Sequence, residues 1–450
     1  MPSARHQSAP RVAGAALVAA GVLVAATATA SRVCSVQDFG AKPNTGTAQT
    51  AAIQAAIDAC SGDTAGEVVL PLLPEGGNWT SGSLFLNSNL VFRIAPGAAL
   101  LGSTSMDNET YPTVYTRVAG TMGFAPASLL NGARCQDLSG YDPAKVGDQC
   151  KRWNKLSNVV ITGAASSQDP SERPALGASP GAGIIDGQGE GWWQHLDFRP
   201  TLLGLLWIDG LTLSDLYLTR SPFWTVHPLF SSNVLADGLT VRTSGPNTDG
   251  FDPDSCANVT LQRSDLSCGD DVVAIKSGKN EDGRAVGIPT TNVTVRDCAF
   301  GLGHGLSIGS ETSGNVTDVR IQRVTMTGTQ RGVRVKSGKG RGGVVANILY
   351  EDMQLQGVGT PVSISQLYTK PTSPGPAPEF RSITVRNLTS VDSPAGSGAG
   401  EVSCLPESPC DSGFSFLHMH VSTSGKWTCS NADVSSTDVS PVMPAACRSV

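Results

Sequence analysis

The sequence predicts an all-β solenoid, a parallel β-helix, and three observations point to it. Short β-branched segments recur along the chain: Ser232-Asn-Val, Ala257-Asn-Val-Thr-Leu, Thr291-Asn-Val-Thr-Val, Thr317-Asp-Val-Arg-Ile and Ala346-Asn-Ile-Leu. A repeat of roughly 20 to 35 residues with one or two strands per unit belongs to a solenoid rather than to a layered domain. The same region is dense in Val, Thr, Ile and Gly and lacks an apolar stripe at 3.6-residue spacing, which argues against helices. Finally, four polar clusters lie about one repeat apart: Asn247-Thr-Asp249-Gly, Gly269-Asp270-Asp271, Gly303-His304-Gly305 and Arg334-Val-Lys336. Coils of a parallel β-helix stack at about 4.7–4.9 Å, so clusters far apart in sequence would form one patch on one face.

The elements follow in order. In residues 1–30, Arg5 and Arg11 precede an apolar run from about Val12 to Ala26, and Ala28-Thr29-Ala30 resembles a signal-peptidase site. This pattern is that of a secretory signal, too short for a membrane span. Ala48 to Cys60 places Ala and Ile at helical spacing and predicts a short N-terminal capping helix, which would cover the open solenoid end. Strands are expected at Glu67 to Leu72 and Leu90 to Ile94. About 103–155, rich in Tyr, Pro, Cys and charge, interrupts the repeat as a loop excursion placed to wall a cleft. A second polar insertion, Ala164 to Gly183, precedes the regular coils. Pro371 to Phe380 breaks them, and a further strand is expected at Ile383 to Val385. The Cys-bearing end, about 400–450, reads as a disulfide-pinned cap on a single domain spanning 31–450.

The chain of 450 residues has a formal net charge of -6. Removing the signal takes away two arginines and no acidic residue, giving -6 - 2 = -8. A nucleic-acid partner is excluded, since that requires a basic footprint. No later apolar run is long enough to span a bilayer, so the expectation is a secreted, soluble monomer. The eleven cysteines all follow the signal, in a compartment where disulfides persist. Local pairs would be Cys34 with Cys60, Cys135 with Cys150, Cys404 with Cys410 and Cys429 with Cys447. Cys256, Cys268 and Cys298 remain, with at least one thiol odd, and spacing alone leaves the connectivity open. Asn78, Asn108, Asn258, Asn292, Asn315 and Asn387 begin N-x-S/T sequons, although Asn-Val-Thr is also how a coil's strand starts, with Asn at the turn.

The clusters hold the chemistry. Cleavage of a glycosidic bond needs a protonated acid at the leaving oxygen and a carboxylate on the other side. Asp249, Asp270 and Asp271 in one patch would supply both, because like charges close together raise at least one pKa. Asp270 and Asp271 are adjacent and would face opposite ways in a regular strand, so a bend beside Gly269 is required to aim both at a cleft. His304 lies between glycines, where backbone can approach a ligand closely. Arg334 and Lys336, two apart, share one strand face and suit the carboxylates of an acidic sugar. His227 sits in an apolar segment and reads as a core or turn hydrogen bonder. Asp249, Asp252 and Asp254 cluster, but such acidic loop residues are commonly only solvated, so no metal and no cofactor is expected.

These clusters in this order resemble the signature set of the polygalacturonases, glycoside hydrolase family 28. Ser221-Pro-Phe-Trp-Thr-Val-His-Pro before them and Ser363-Ile-Ser-Gln-Leu-Tyr368 after them agree, and the likeness runs from Val36-Gln-Asp-Phe-Gly-Ala to Cys447. The resemblance implies a single-stranded right-handed parallel β-helix that hydrolyses α-1,4 bonds between galacturonates of pectin with inversion. It implies Asp270 as general acid, Asp249 and Asp271 as the residues that position and activate water, and His304 beside the acid. Asn247, Arg334, Lys336 and Tyr368 would contact the pectic polysaccharide. Val272-Val273 stands where many relatives have a cysteine after the Asp pair, which leaves the pairing of Cys298 in doubt. Ile275-Lys276-Ser-Gly, Gly305-Leu-Ser-Ile-Gly-Ser-Glu311 and the 103–155 insertion look more like exo-acting and plant-type members, so exo action is slightly favoured over endo. Competing readings are a rhamnogalacturonan or xylogalacturonan hydrolase, a calcium-dependent pectate lyase, and a non-catalytic pectin-binding wall protein.

Overall fold

The computed structural model describes residues 32–164, 176–179, 181–195 and 199–447. The expected signal segment 1–30 and most of the 164–183 insertion lie outside the described residues. The chain winds as a right-handed parallel β-helix. One wall is a 19-stranded parallel sheet, and the opposite wall is built from a four-stranded and a six-stranded parallel sheet. Isolated parallel bridges Val226–Phe251–Val273 and Leu229–Asp254–Lys276 join the latter two into one surface, called here the catalytic sheet.

The long sheet is stabilised by stacking. Val295, Ile321, Tyr350, Val385 and Phe416 stand in register on successive strands, and all are fully buried. A buried Leu or Ile side chain contributes roughly 1.5–3 kcal/mol, and the solenoid repeats that contribution coil after coil. The asparagines of the recurrent segments take the left-handed conformation, at φ 54 to 57° for Asn233, Asn258 and Asn292, which Asn tolerates better than other residues with a Cβ. Their amides form a ladder: Asn292 donates to Asn258 and Asn258 to Asn233. Three sequon asparagines, Asn258, Asn292 and Asn387, thus have their side-chain amides hydrogen-bonded within such ladders.

The capping helix spans Thr50–Ala59, and Gly66–Leu70 and Leu90–Ile94 are strands. Two expectations need correction. The 103–155 stretch is not one excursion, because Leu130–Asn131 within it is a coil strand pairing with Leu84–Phe85 and with Leu203–Leu206. Around it stand an antiparallel hairpin, Thr113–Val118 with Thr121–Pro126, and a short pair, Cys135–Asp137 with Arg152–Trp153. The C-terminal end, expected as a disulfide-pinned cap, is made of further coils: Gly400–Ser403 and Trp427–Ser430 continue the catalytic sheet, and Cys410–Val421 and Ala432–Ser440 continue the long one. Alternation is weak in Trp427–Ser430 and Ala432–Ser440, so the cysteines dominate the sequence there. The disulfides are Cys34–Cys60, Cys135–Cys150, Cys404–Cys410 and Cys429–Cys447, while Cys256, Cys268 and Cys298 are buried free thiols.

Candidate active site

The outer face of the catalytic sheet collects the polar clusters. Ser307 is in register with Arg334, and Arg334 with Ser363; the next outward ladder runs through Asp254 and Lys276. Asp249 and Asp271 precede these strands, one coil apart, and the Gly250 amide donates to the Asp271 carbonyl at 3.0 Å. The bend that the adjacent aspartates require is present at Gly269–Asp270. A Cβ on Gly269 would lie 2.1 Å from the Gly245 carbonyl oxygen, so only glycine lets the turn pack against the preceding coil. Gly305 is held likewise, at φ 90° with a Cβ position 2.0 Å from the Arg331 carbonyl oxygen.

Three carboxylates meet here in three environments. Asp271 is buried and accepts from Ser307 Oγ at 2.8 Å, from Arg334 Nη1 at 2.8 Å and from Lys336 Nζ. Burial opposes its ionisation, but the two cations outweigh it and lower its pKa. Asp270 is the open one, with a side chain 22 % exposed against 4 % for Asp249 and 2 % for Asp271. Its Oδ1 lies 2.9 Å from His304 Nδ1, its own Oδ1 accepts from the Asp271 amide at 2.8 Å, and Asn247 Nδ2 donates to Oδ2 at 3.2 Å. Burial is the largest single effect on Asp270 and raises its pKa, but the bond and charge of His304, the charge of Lys336 and the Asp271 amide together outweigh it and the net direction is down; that same bond to His304 raises the His304 pKa against the opposing effect of burial. Asp249 is buried, and burial raises its pKa to about 7 despite Lys276 Nζ at 3.3 Å. The elevated carboxyl is therefore Asp249, while the bond to Asp270 favours the protonated form of His304.

The donor atoms of Asp270, Asp271 and His304 lie within 4.8 Å of one another, close enough for a cation. Both oxygens of Asp271 are already engaged by Arg334 and Lys336. Tyr368 is half exposed at the rim, with Lys336 Nζ 5.3 Å from its ring centre.

The sequence reading of Asp252 and Asp254 as solvated needs correction: both are fully buried. The reason is the hairpin, whose Arg117 pairs with Asp254 at 2.6 Å while its turn accepts the Lys279 amide at Gly120 O. His227 is buried, 3.6 Å from Asp254 and edge-on to Trp224, which makes it a core group. Sequence reasoning missed three residues. Lys276 underlies Asp249. Arg199 donates to Asn247 Oδ1 at 2.7 Å and so orients the amide that reaches Asp270. Ser307 holds Asp271. Lys276 and Ser307 were findable from outward alternation on their strands; Arg199 follows no periodicity.

A parallel β-helix with this carboxylate face is a carbohydrate-active site of the hydrolase type. Residues 175–440 match the profile of the Glycosyl hydrolases family 28, and the chain belongs to that family. It is thus a glycoside hydrolase. It is 29 % identical over 428 residues to a probable polygalacturonase of Vitis vinifera, covering 90 % of this chain and 79 % of that one. It is 36 % identical over 231 residues to an endo-polygalacturonase of Pectobacterium carotovorum subsp. carotovorum, a match spanning 47 % of this chain and 55 % of the relative. Among solved structures, a hyperthermoactive exopolygalacturonase from Thermotoga maritima superposes with a TM-score of 0.69 at 22 % identity, over 90 % of this chain and 92 % of that one.

Proposed function

We propose that this chain is a secreted polygalacturonase that hydrolyses α-1,4-galacturonosyl bonds of pectin by acid/base catalysis with inversion. The observation that carries the reading is the single open carboxylate, Asp270, held 2.9 Å from His304 beside two buried carboxylates and the Arg334–Lys336 pair. A proton donor must touch the glycosidic oxygen, and of the three aspartates Asp270 is the one exposed to do so. A bound uronate brings negative charge and excludes water, both of which disfavour the Asp270 anion. The proton on His304 Nδ1 then passes to Asp270 Oδ1, and from there to the leaving oxygen. Water attacks from the far side, and its proton goes to Asp249, with Asp271 fixing the water's position. Arg334 and Lys336 hold the substrate carboxylate, and Tyr368 and Asn247 contact the sugar. The family resemblance, the polygalacturonase names of the relatives and the signal-like residues 1–30 support the substrate and the secretion; the four disulfides fit an oxidising compartment.

Exo action is the finer reading. The hairpin Thr113–Val118/Thr121–Pro126 stands over the early coils of the catalytic sheet, and a recess lined by Tyr115, Arg134, Arg199, Phe223 and Trp224 lies beneath it. A wall there turns an open cleft into a receptacle for a chain end. Following viscosity and reducing ends together on polygalacturonate tests it: exo action releases monomer with a slow viscosity fall, whereas a rapid fall with mixed oligomers means endo action.

A further inference from the structure

Lys276 takes no part in the roles above, yet it is buried directly behind them. Its Nζ lies 3.3 Å from Asp249 Oδ2, 3.6 Å from Glu311 Oε2 and 4.0 Å from Asp252 Oδ2, and it rests 4.3 Å above the Trp224 ring centre. The neighbouring charges are already matched: Asp254 with Arg117, Asp271 with Arg334 and Lys336. Among the described residues, neither oxygen of Asp252 has a hydrogen-bond partner. One ammonium therefore faces three carboxylates, the buried Asp249 and Asp252 of one coil and the partly buried Glu311 of another. An ammonium is a compact charge with three donors, and the Trp224 face and Glu311 prevent it from swinging away from Asp249.

We propose that Lys276 is a positioning residue of the hydrolysis: anchored by Glu311 and Trp224, its ammonium orients the Asp249 carboxylate and governs the pH at which that carboxylate can accept a proton from water. The inference rests on the reading of Asp249 as the base. The groups that face the pair are Asp252, Asp254, Asp270, Asp271, Glu311, His227, Cys268, Arg117, Arg199 and Lys336. Burial drives Asp249 towards its neutral form, and Lys276 is the strongest influence opposing it. Glu311 competes for the same ammonium, and its own pKa is lowered by Lys276 against the effect of burial.

The signs follow. Asp249 acts when ionised, so the acidic limb of the kcat–pH profile marks its titration. In Lys276→Met the neutral form persists to higher pH, and the limb moves up by about one pH unit, a roughly tenfold loss of kcat on that limb. In Glu311→Gln a negative charge is removed and Lys276 serves Asp249 more fully, so the limb moves down. KM stays within about twofold in both, because Lys276 does not reach the cleft. A purely structural lysine would change the thermal midpoint and leave the limb in place. If Lys276→Met does not fold, Glu311→Gln decides alone: a limb that stays put or moves up overturns the proposal. Asp249→Asn separates the two layers. Full turnover in that variant removes the base reading itself, whereas an inactive Asp249→Asn beside unmoved limbs removes the role of Lys276 only.

Discussion

In the long sheet, successive coils place Val295, Ile321, Tyr350, Val385 and Phe416 one above another, with the Asn ladder at the turns. In the catalytic sheet, coils of the same chain place Asp254, Lys276, Asp271 and Lys336 side by side and bury them. The first arrangement is self-supporting, since every layer contributes the same apolar burial. The second is stable only because most of its charges are matched, and where matching is incomplete, at Asp249 and Asp252, burial raises the carboxyl pKa. One backbone scaffold thus supports a regular wall that provides stability and an irregular wall that stores chemistry.

The contrast can be broken from the catalytic side first. Asp270→Asn should lower kcat by about 10²- to 10⁴-fold, the usual worth of a general acid. Its thermal midpoint should stay near that of the wild type, as read by circular dichroism beside a reducing-end assay. Arg117→Met comes next. It strands Asp254 as a buried charge and should destabilise the fold by about 3–5 kcal/mol, measured by denaturant unfolding at neutral pH. The Asp254 pKa is about 2, because the pull of Arg117 and His227 exceeds the push of burial. A depressed carboxylate pKa stabilises the fold above the ordinary 3.8 and loses that contribution as pH falls through about 2. The gap between wild type and Arg117→Met should therefore narrow across that window; a constant gap would mean that hairpin packing, not the ion pair, is responsible.

The regular wall offers the smaller effects. Ile321→Ala removes one layer of the apolar stack and should destabilise by about 2–5 kcal/mol with kcat unchanged. Asn258→Ala loses two ladder bonds, the one donated to Asn233 and the one accepted from Asn292, and puts a Cβ residue at positive φ, for about 1–3 kcal/mol. An effect of Asn258→Ala as large as that of Ile321→Ala would show that the ladder, rather than the apolar stack, holds the coils in register.

The regular wall was legible because its rule is local: Asn-Val-Thr states a left-handed turn residue followed by alternating inward side chains within five positions. The clusters Asn247-Thr-Asp249, Gly269-Asp270-Asp271, Gly303-His304-Gly305 and Arg334-Val-Lys336 were legible because stacking brings equal positions of successive coils together. What escaped depends on contacts between distant segments. Arg117 meets Asp254 across 137 positions, and nothing near Asp254 in sequence says that a hairpin will bury it. For the same reason Lys276 read as part of a family-like segment rather than as the counter-ion of Asp249, and the terminal coils read as a cap because cysteines dominate a faint alternation.

The most direct test of the account is the product formed from unesterified polygalacturonate, with fully methyl-esterified pectin in parallel. The Arg334–Lys336 pair and the Asp270–His304 acid predict saturated products with new reducing ends from the unesterified polymer and far slower turnover of the esterified one. Unsaturated, ultraviolet-absorbing products, or faster turnover of the esterified polymer, would contradict it.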